Sequence, residues 1–272
     1  MPINRSGLAT TVFAAAACLS APAFADGMPY RGSIKDGPVA MSSPGPCYLR
    51  ADVGYSWSNT PDVRWTVTDP DPASPTFGQF VTDRVTNVSI DNTWFGEVGI
   101  GCGSGPRGLR GEVMLGYHGK RDISGEPGPW LVPAGIDPLH TAVSTTTLMF
   151  NGYYDLGRWD RVVPYVGVGV GVARNSTDEV FFTNNPALIN RIQGEDRWSL
   201  AWALMAGVGW QLSERAVLDV GYRYLDMGKA QSGIIDSAGF INPRVRIDDL
   251  SAHEIKIGLR FGFGGGEPMM MK

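Results

Sequence analysis

The chain has 272 residues, 43% hydrophobic and 18% charged, with 36 glycines and a formal net charge of −4. That much apolar content excludes a disordered chain, and an acidic balance with no basic stripe excludes a nucleic-acid partner. Abundant Gly, Tyr, Trp and Val, with no long Leu/Ala/Glu/Lys-rich stretch, predicts an all-β protein.

The N-terminus reads as a targeting segment. Arg5 supplies a positive start, "LATTVFAAAACL" a short apolar core and Ala23-Phe24-Ala25 a small-x-small cleavage site. Residues 1–25 are therefore expected to be a cleaved secretory signal peptide, and residues 26–46 a flexible periplasmic leader. Lipidation at Cys18 is not expected, because Ala15 stands where Leu is usual and the cleavage site follows directly. Cleavage removes Cys18 and leaves Cys47 and Cys102, either a disulfide of an exported chain or two free thiols.

From Cys47 onward the chain alternates. "CYLRADVGYSW" sets Leu49, Ala51, Val53, Tyr55 and Trp57 opposite Arg50, Asp52 and Gly54. "TWFGEVGIGC" sets Trp94, Val98 and Ile100 opposite Glu97, and "LRGEVMLGYH" sets Leu109, Val113, Leu115 and Tyr117 opposite Arg110, Glu112 and Gly116. "TTLMFNGYYDL" opposes Leu148, Phe150 and Tyr154 to Asn151 and Asp155, and "YVGVGVGV" opposes four valines to three glycines. "RWSLAWALMAGVGWQLSER" places Trp198, Leu200, Trp202, Leu204, Val208 and Trp210 on one face and Ser, Ala, Met and Gly on the other. "AVLDVGYRYL" opposes Leu218, Val220, Tyr222 and Tyr224 to Asp219, Gly221 and Arg223, and "HEIKIGLRFGF" opposes His253, Ile255, Ile257, Leu259, Phe261 and Phe263 to Glu254, Lys256 and Arg260. Period 2 throughout predicts eight strands.

The tryptophan-rich segment shows which solvent these strands face. As a helix, Trp198 to Trp210 would span only about 22 Å, short of a hydrocarbon core of roughly 30 Å. As a strand tilted near 45° it crosses about 28 Å, with an aromatic at each rim. The charged faces are also the glycine-containing faces, as a narrow, crowded barrel lumen requires, so the apolar faces meet lipid. Short connections ("GSGPRG", "GRWDRV", "SERA") alternate with long ones near 59–92, 119–141, 174–196 and 229–250. This is the turn asymmetry of an outer-membrane barrel with three periplasmic turns and four extracellular loops.

"CYLRADVGYSWS", "FNGYYDLG", "PYVGVGVGVA", "LMAGVGWQLSERAVLDVGYRYLDMG" and "HEIKIGLRFGF" resemble, in order, strands of the small eight-stranded outer-membrane barrels of the OmpA-like and surface-antigen (porin family) group of alphaproteobacteria. The resemblance covers residues 47–263. It implies an all-β, eight-stranded antiparallel up-and-down transmembrane barrel in the outer membrane, without a cofactor. Two features depart from the group. Phe263 is followed by a tail, residues 264–272, where the group ends on an aromatic read by the barrel-assembly machinery, and no peptidoglycan-binding domain follows.

The inward charges Arg50, Asp52, Glu97, Arg110, Glu112, Asp155, Asp219, Arg223, Glu254, Lys256 and Arg260 are expected to pair, since isolated burial of charge is costly. The pairs predict a plugged lumen; the alternative is a narrow gated channel. Cys47 and Cys102 fall at the periplasmic rim of neighbouring strands with matching outward parity, which predicts a Cys47–Cys102 bond. His118, His140 and His253 map to the extracellular rim and are read as rim histidines without metal. A lipid A-modifying enzyme would need a nucleophile and base; Ser251 with His253 is the nearest pair and lacks an orienting acid, so no catalysis is expected. "GVGVGVG" resembles a phosphate loop only superficially, because no capped helix follows. Expected partners are outer-membrane lipids and lipopolysaccharide, the barrel-assembly machinery, and an extracellular ligand met through solvated loops such as "TDPDPASPT" and the Trp130–Leu131 segment.

Overall fold

The computed structural model describes residues 44–68, 72–104, 107–126, 138–182, 191–236 and 244–265. The proposed signal peptide, leader residues 26–43, Trp130, Leu131 and tail residues 266–272 lie outside them. All regular structure in the described residues is strand: β1 (Pro44–Ser58), β2 (Asp62–Thr68), β3 (Phe80–Arg84), β4 (Thr86–Ile90), β5 (Thr93–Gly103), β6 (Gly108–Glu126), β7 (Leu139–Asp155), β8 (Val162–Thr177), β9 (Val180–Phe182), β10 (Arg191–Gly194), β11 (Asp196–Gln211), β12 (Ala216–Asp226), β13 (Ala230–Asp236), β14 (Val245–Asp248) and β15 (Ser251–Gly265).

Eight of these close a barrel in the order β1-β5-β6-β7-β8-β11-β12-β15, every neighbour antiparallel. Register sets its size. Stepping sideways from Cys47 leads through Cys102, Gly111, Gly152, Val168, Leu204, Tyr224 and His253, and returns to β1 at Trp57, ten residues further along. Ten residues of stagger over eight strands tilts them about 40° from the axis and gives an interior just wide enough for side chains to fill.

The alternating residues sort as a lipid-facing barrel demands. Large apolar groups point outward, from Leu49 and Trp210 at the short-turn end to Trp57, Trp94 and Trp198 at the other. Mid-strand Leu204 is 50% exposed on this face, an orientation that only a lipid solvent makes favourable. Glycines let the inner face close up: an added Cβ at Gly258 would collide with the Asp52 carboxylate, and one at Gly169 with the Asn151 side chain.

The long connections are not simply solvated loops. They carry β2, β3, β4, β9, β10, β13 and β14, which continue the wall beyond the lipid-facing band. β7 pairs with β9, β9 with β10, β10 with β13, β13 with β14, β14 with β2 and β2 with β3. Residues 80–90 then change partner: β3 lies on β2, while β4 lies on β6. The crossover residue Val85 donates its N–H to the Val63 carbonyl at 2.8 Å, and Asn87 turns the chain with a φ of 52°. A second ring closes on top of the first. Its interior is apolar, with Val63, Val85, Ile123, Leu139, Val180, Ile192, Ile247 and Leu250 all buried. Strands of three to seven residues, in β2, β9, β10 and β14 with only one or two buried positions each among the described side chains, explain why loop-like composition conceals them.

Candidate functional site: the barrel lumen

Alternation on five adjacent strands (β12, β15, β1, β5 and β6), with Asp155 added from the end of β7, brings the inward charges together. Arg50 occupies the centre of a lower cluster. Its Nε donates to Asp52 at 2.9 Å, Nη1 to Glu112 at 2.9 Å and Nη2 to Asp219 at 3.0 Å. Asp219 also takes Arg260 Nη2 at 2.7 Å and the Tyr165 hydroxyl. Glu112 accepts from the Tyr48 hydroxyl at 2.6 Å and from Arg110, which reaches Asp155 at 3.3 Å. The Arg110 guanidinium lies 4.2 Å from the Tyr153 ring centroid, a cation–π contact out of water.

Lys256 joins this cluster to the one above it. Its ammonium touches Asp52 at 2.9 Å and Glu97 at 2.5 Å. Glu97 accepts from Arg223 Nη1 at 2.8 Å, and Arg223 Nε donates to Glu254 at 2.5 Å. Glu254 bonds His118 Nε2 at 2.7 Å, and the His118 ring stacks on Phe95 at 4.9 Å. All eleven inward charges singled out in the sequence thus lie in one connected lattice, each in at least one ion pair and each buried. The facing wall, from β7, β8 and β11, carries a single charge, Asp155: Met149, Met205, Ala173, Ala201 and Ala203 line it with the uncharged polar Thr147 and Asn151, the rings of Tyr153 and Tyr165, and glycines between.

Two residues of this interior were misread or missed. His118 is not a rim histidine; it is fully buried in the lumen on Glu254. Its parity with Arg110, Glu112 and Gly116 carried that signal. Arg121 is also fully buried, yet it sits at odd parity, because β6 bulges: His118 faces Thr145 while Arg121 faces Val143, three residues on one strand against two on the other.

The remaining candidates separate. Cys47 and Cys102 stand directly opposite each other in register and form a disulfide, with Cα atoms 4.0 Å apart. His253 faces outward and shares a 2.6 Å hydrogen bond between Nδ1 and the Tyr222 hydroxyl. Ser251 instead accepts from Asn59 at 3.0 Å, so the nucleophile–base pair is not assembled. His140 stacks on Phe181 at the start of β7, where it pairs with Ser124 of β6 in the second ring. No group of three or more His, Cys, Asp or Glu suited to a metal ion occurs among the described residues.

A family model for the outer membrane protein beta-barrel domain matches residues 11–263. The chain belongs to the outer membrane β-barrel family. As a member it resides in the outer membrane, with the short turns periplasmic and the second ring outside the cell. It is 28% identical over 243 residues to an uncharacterised protein of Brucella suis, covering 79% of this chain and 84% of that protein. A candidate adhesin of Rickettsia bellii is 28% identical over 186 residues, covering 66% and 80%. Among solved structures, the outer membrane protein OprG from Pseudomonas aeruginosa is similar over 82% of this chain and 99% of that one, at 16% identity and a TM-score of 0.46.

Proposed function

We propose that this family member is a closed, non-conducting barrel that stabilises the outer membrane and displays a rigid extracellular sheet for contact with other surfaces. The observation that carries the reading is the filling of the lumen. Charged side chains bond across the bore at two levels, and the apolar core of the second ring lies above them. An eight-stranded interior has no width to spare once such side chains occupy it. The similarity to a candidate adhesin favours surface contact as the role of the exposed sheet.

Catalysis is not part of this reading. Ser251 and His253 hold separate partners, and His253 bonds a tyrosine rather than an orienting carboxylate. Partners in this account are outer-membrane lipid and lipopolysaccharide along the apolar band, the barrel-assembly machinery during insertion, and an extracellular ligand met by the second ring.

Planar-bilayer recording of the purified protein is expected to give no steady unit conductance; a stable, large open state would make it a channel. Unchanged lipid A mass on overexpression is expected, and a mass shift would assign an enzyme. Deletion of the gene is expected to weaken the envelope, and return of a barrel lacking the second ring to restore integrity without surface contact.

A further inference from the structure

The basic side chains outside the lumen fall into two groups. On the extracellular side nearly all of those described meet an Asp or Glu, as Lys120 meets Asp178 and Arg174 meets Asp196; only Arg197 and Arg246 make no ion pair. The short-turn end is the reverse. Arg107 in the β5–β6 turn, Arg158 and Arg161 in the β7–β8 turn and Arg215 in the β11–β12 turn are all exposed, and none of them is in an ion pair. Only Asp160 and Glu214 oppose them within these turns, so the described turns carry an excess of positive charge that the fold leaves unneutralised. Backbone contacts link the turns into a collar. Gly108 pairs with Asp155, which sets Arg107 beside the β7–β8 turn. The Gln211 N–H donates to the Arg161 carbonyl at 2.8 Å, and the Gly262 N–H donates to the Arg215 carbonyl at 2.7 Å.

Apolar side chains are interleaved with these arginines. Trp159, between Arg158 and Arg161, is 67% exposed, and Leu156 and Leu212 are exposed in the same turns. Leu109 and Trp210 end the lipid-facing band directly above, so the collar continues an apolar surface already in contact with lipid. At such a boundary an indole settles among headgroups, and a guanidinium binds phosphate oxygens through paired N–H donors. We infer that the collar binds anionic phospholipid headgroups of the periplasmic leaflet, with the phosphodiester on the turn arginines and the acyl chains along the apolar band. An anionic wall polymer would match the charge but leave Trp159, Leu156 and Leu212 facing water. The inference rests on the proposed stabilising role of the barrel in the outer membrane, to which it adds a lipid preference and the residues that set it.

The test uses the full-length folded protein in phosphatidylcholine bilayers, probed with spin-labelled phosphatidylglycerol or spin-labelled phosphatidylcholine. The fraction of label immobilised at the protein is expected to favour phosphatidylglycerol, by roughly fivefold for each arginine that meets a headgroup, and the preference to shrink in high salt. Arg158→Gln combined with Arg161→Gln is expected to remove most of it, and Lys120→Gln combined with Arg174→Gln, on the extracellular side, to leave it intact. If the first pair does not fold, Arg107→Gln with Arg215→Gln takes its place. No preference in the native protein, or one that survives loss of the turn arginines, overturns the inference; binding to isolated peptidoglycan without a lipid preference gives the collar to the wall instead. Planar-bilayer conductance is independent of these arms. A missing lipid preference therefore leaves the closed-barrel reading standing, and an open channel would contradict that reading without touching the lipid preference.

Discussion

The two rings of this protein share strands β6 and β7 but are built inside out relative to each other. In the membrane ring the interior is charged and the exterior apolar; Glu112 is buried while Val113 next to it is 44% exposed. In the extracellular ring the interior is apolar and the exterior polar; Ile123 is buried while Asp122 is exposed. The backbone is the same kind of sheet in both, so the outer solvent alone dictates which residues go where. Below, lipid claims the large apolar side chains, and the lumen is left with small residues and charges that must pair. Above, water claims the charges, and burial of Val, Ile and Leu supplies cohesion in the ordinary way.

The largest expected effect probes the charged interior. Arg223→Met strips Glu97 and Glu254 of a shared partner in a dry lumen, and breaking such a pair should cost about 3–5 kcal/mol in denaturant unfolding of the detergent-folded protein. In the upper ring, Ile247→Ala should cost roughly 2–5 kcal/mol locally, seen as new protease cleavage of the extracellular sheet while the membrane ring stays folded. On the lipid face, Leu204→Arg at mid-membrane should cost about 2–4 kcal/mol, whereas Gln211→Arg, near the periplasmic rim, should be far milder. Reducing Cys47–Cys102, which closes a 55-residue separation, should cost on the order of 2–4 kcal/mol by freeing the unfolded chain. The smallest effect is expected at the exposed surface. Asp62 accepts from Arg64 at 2.8 Å and pairs with Arg84, and the Arg64 hydrogen bond holds its carboxyl below the usual range. Asp62→Asn should nevertheless change stability by roughly 0.2–1 kcal/mol only, and less in high salt.

Much of the membrane ring was legible in the sequence because lipid enforces strict alternation over ten or more residues. Trp198 to Trp210 never breaks parity, so its strand, its faces and its rims could all be read. The cysteine pairing was legible for the same reason, once parity and neighbouring strands were known. The upper ring was not. "RIQG" and "VRID" are four-residue strands, too short for a period to register, and β3 and β4 are one run that changes partner at Val85. Arg121 was hidden by the β6 bulge, which moves inward positions from even to odd numbers between His118 and Arg121.

That bulge marks the inversion, so β6 offers the most direct test. Spin labels placed singly at cysteines from position 112 to 124, in protein with the native disulfide retained and reconstituted in bilayers, can be read for collision with oxygen and with a water-soluble nickel complex. Oxygen access is expected to peak at 113, 115 and 117, and nickel access at 120, 122 and 124, with 112, 114, 116, 118, 121 and 123 shielded from both. Nickel access at 112 and 116 would mean an open, watery lumen, and oxygen peaks continuing at odd positions through 123 would mean no inversion; either result contradicts the account.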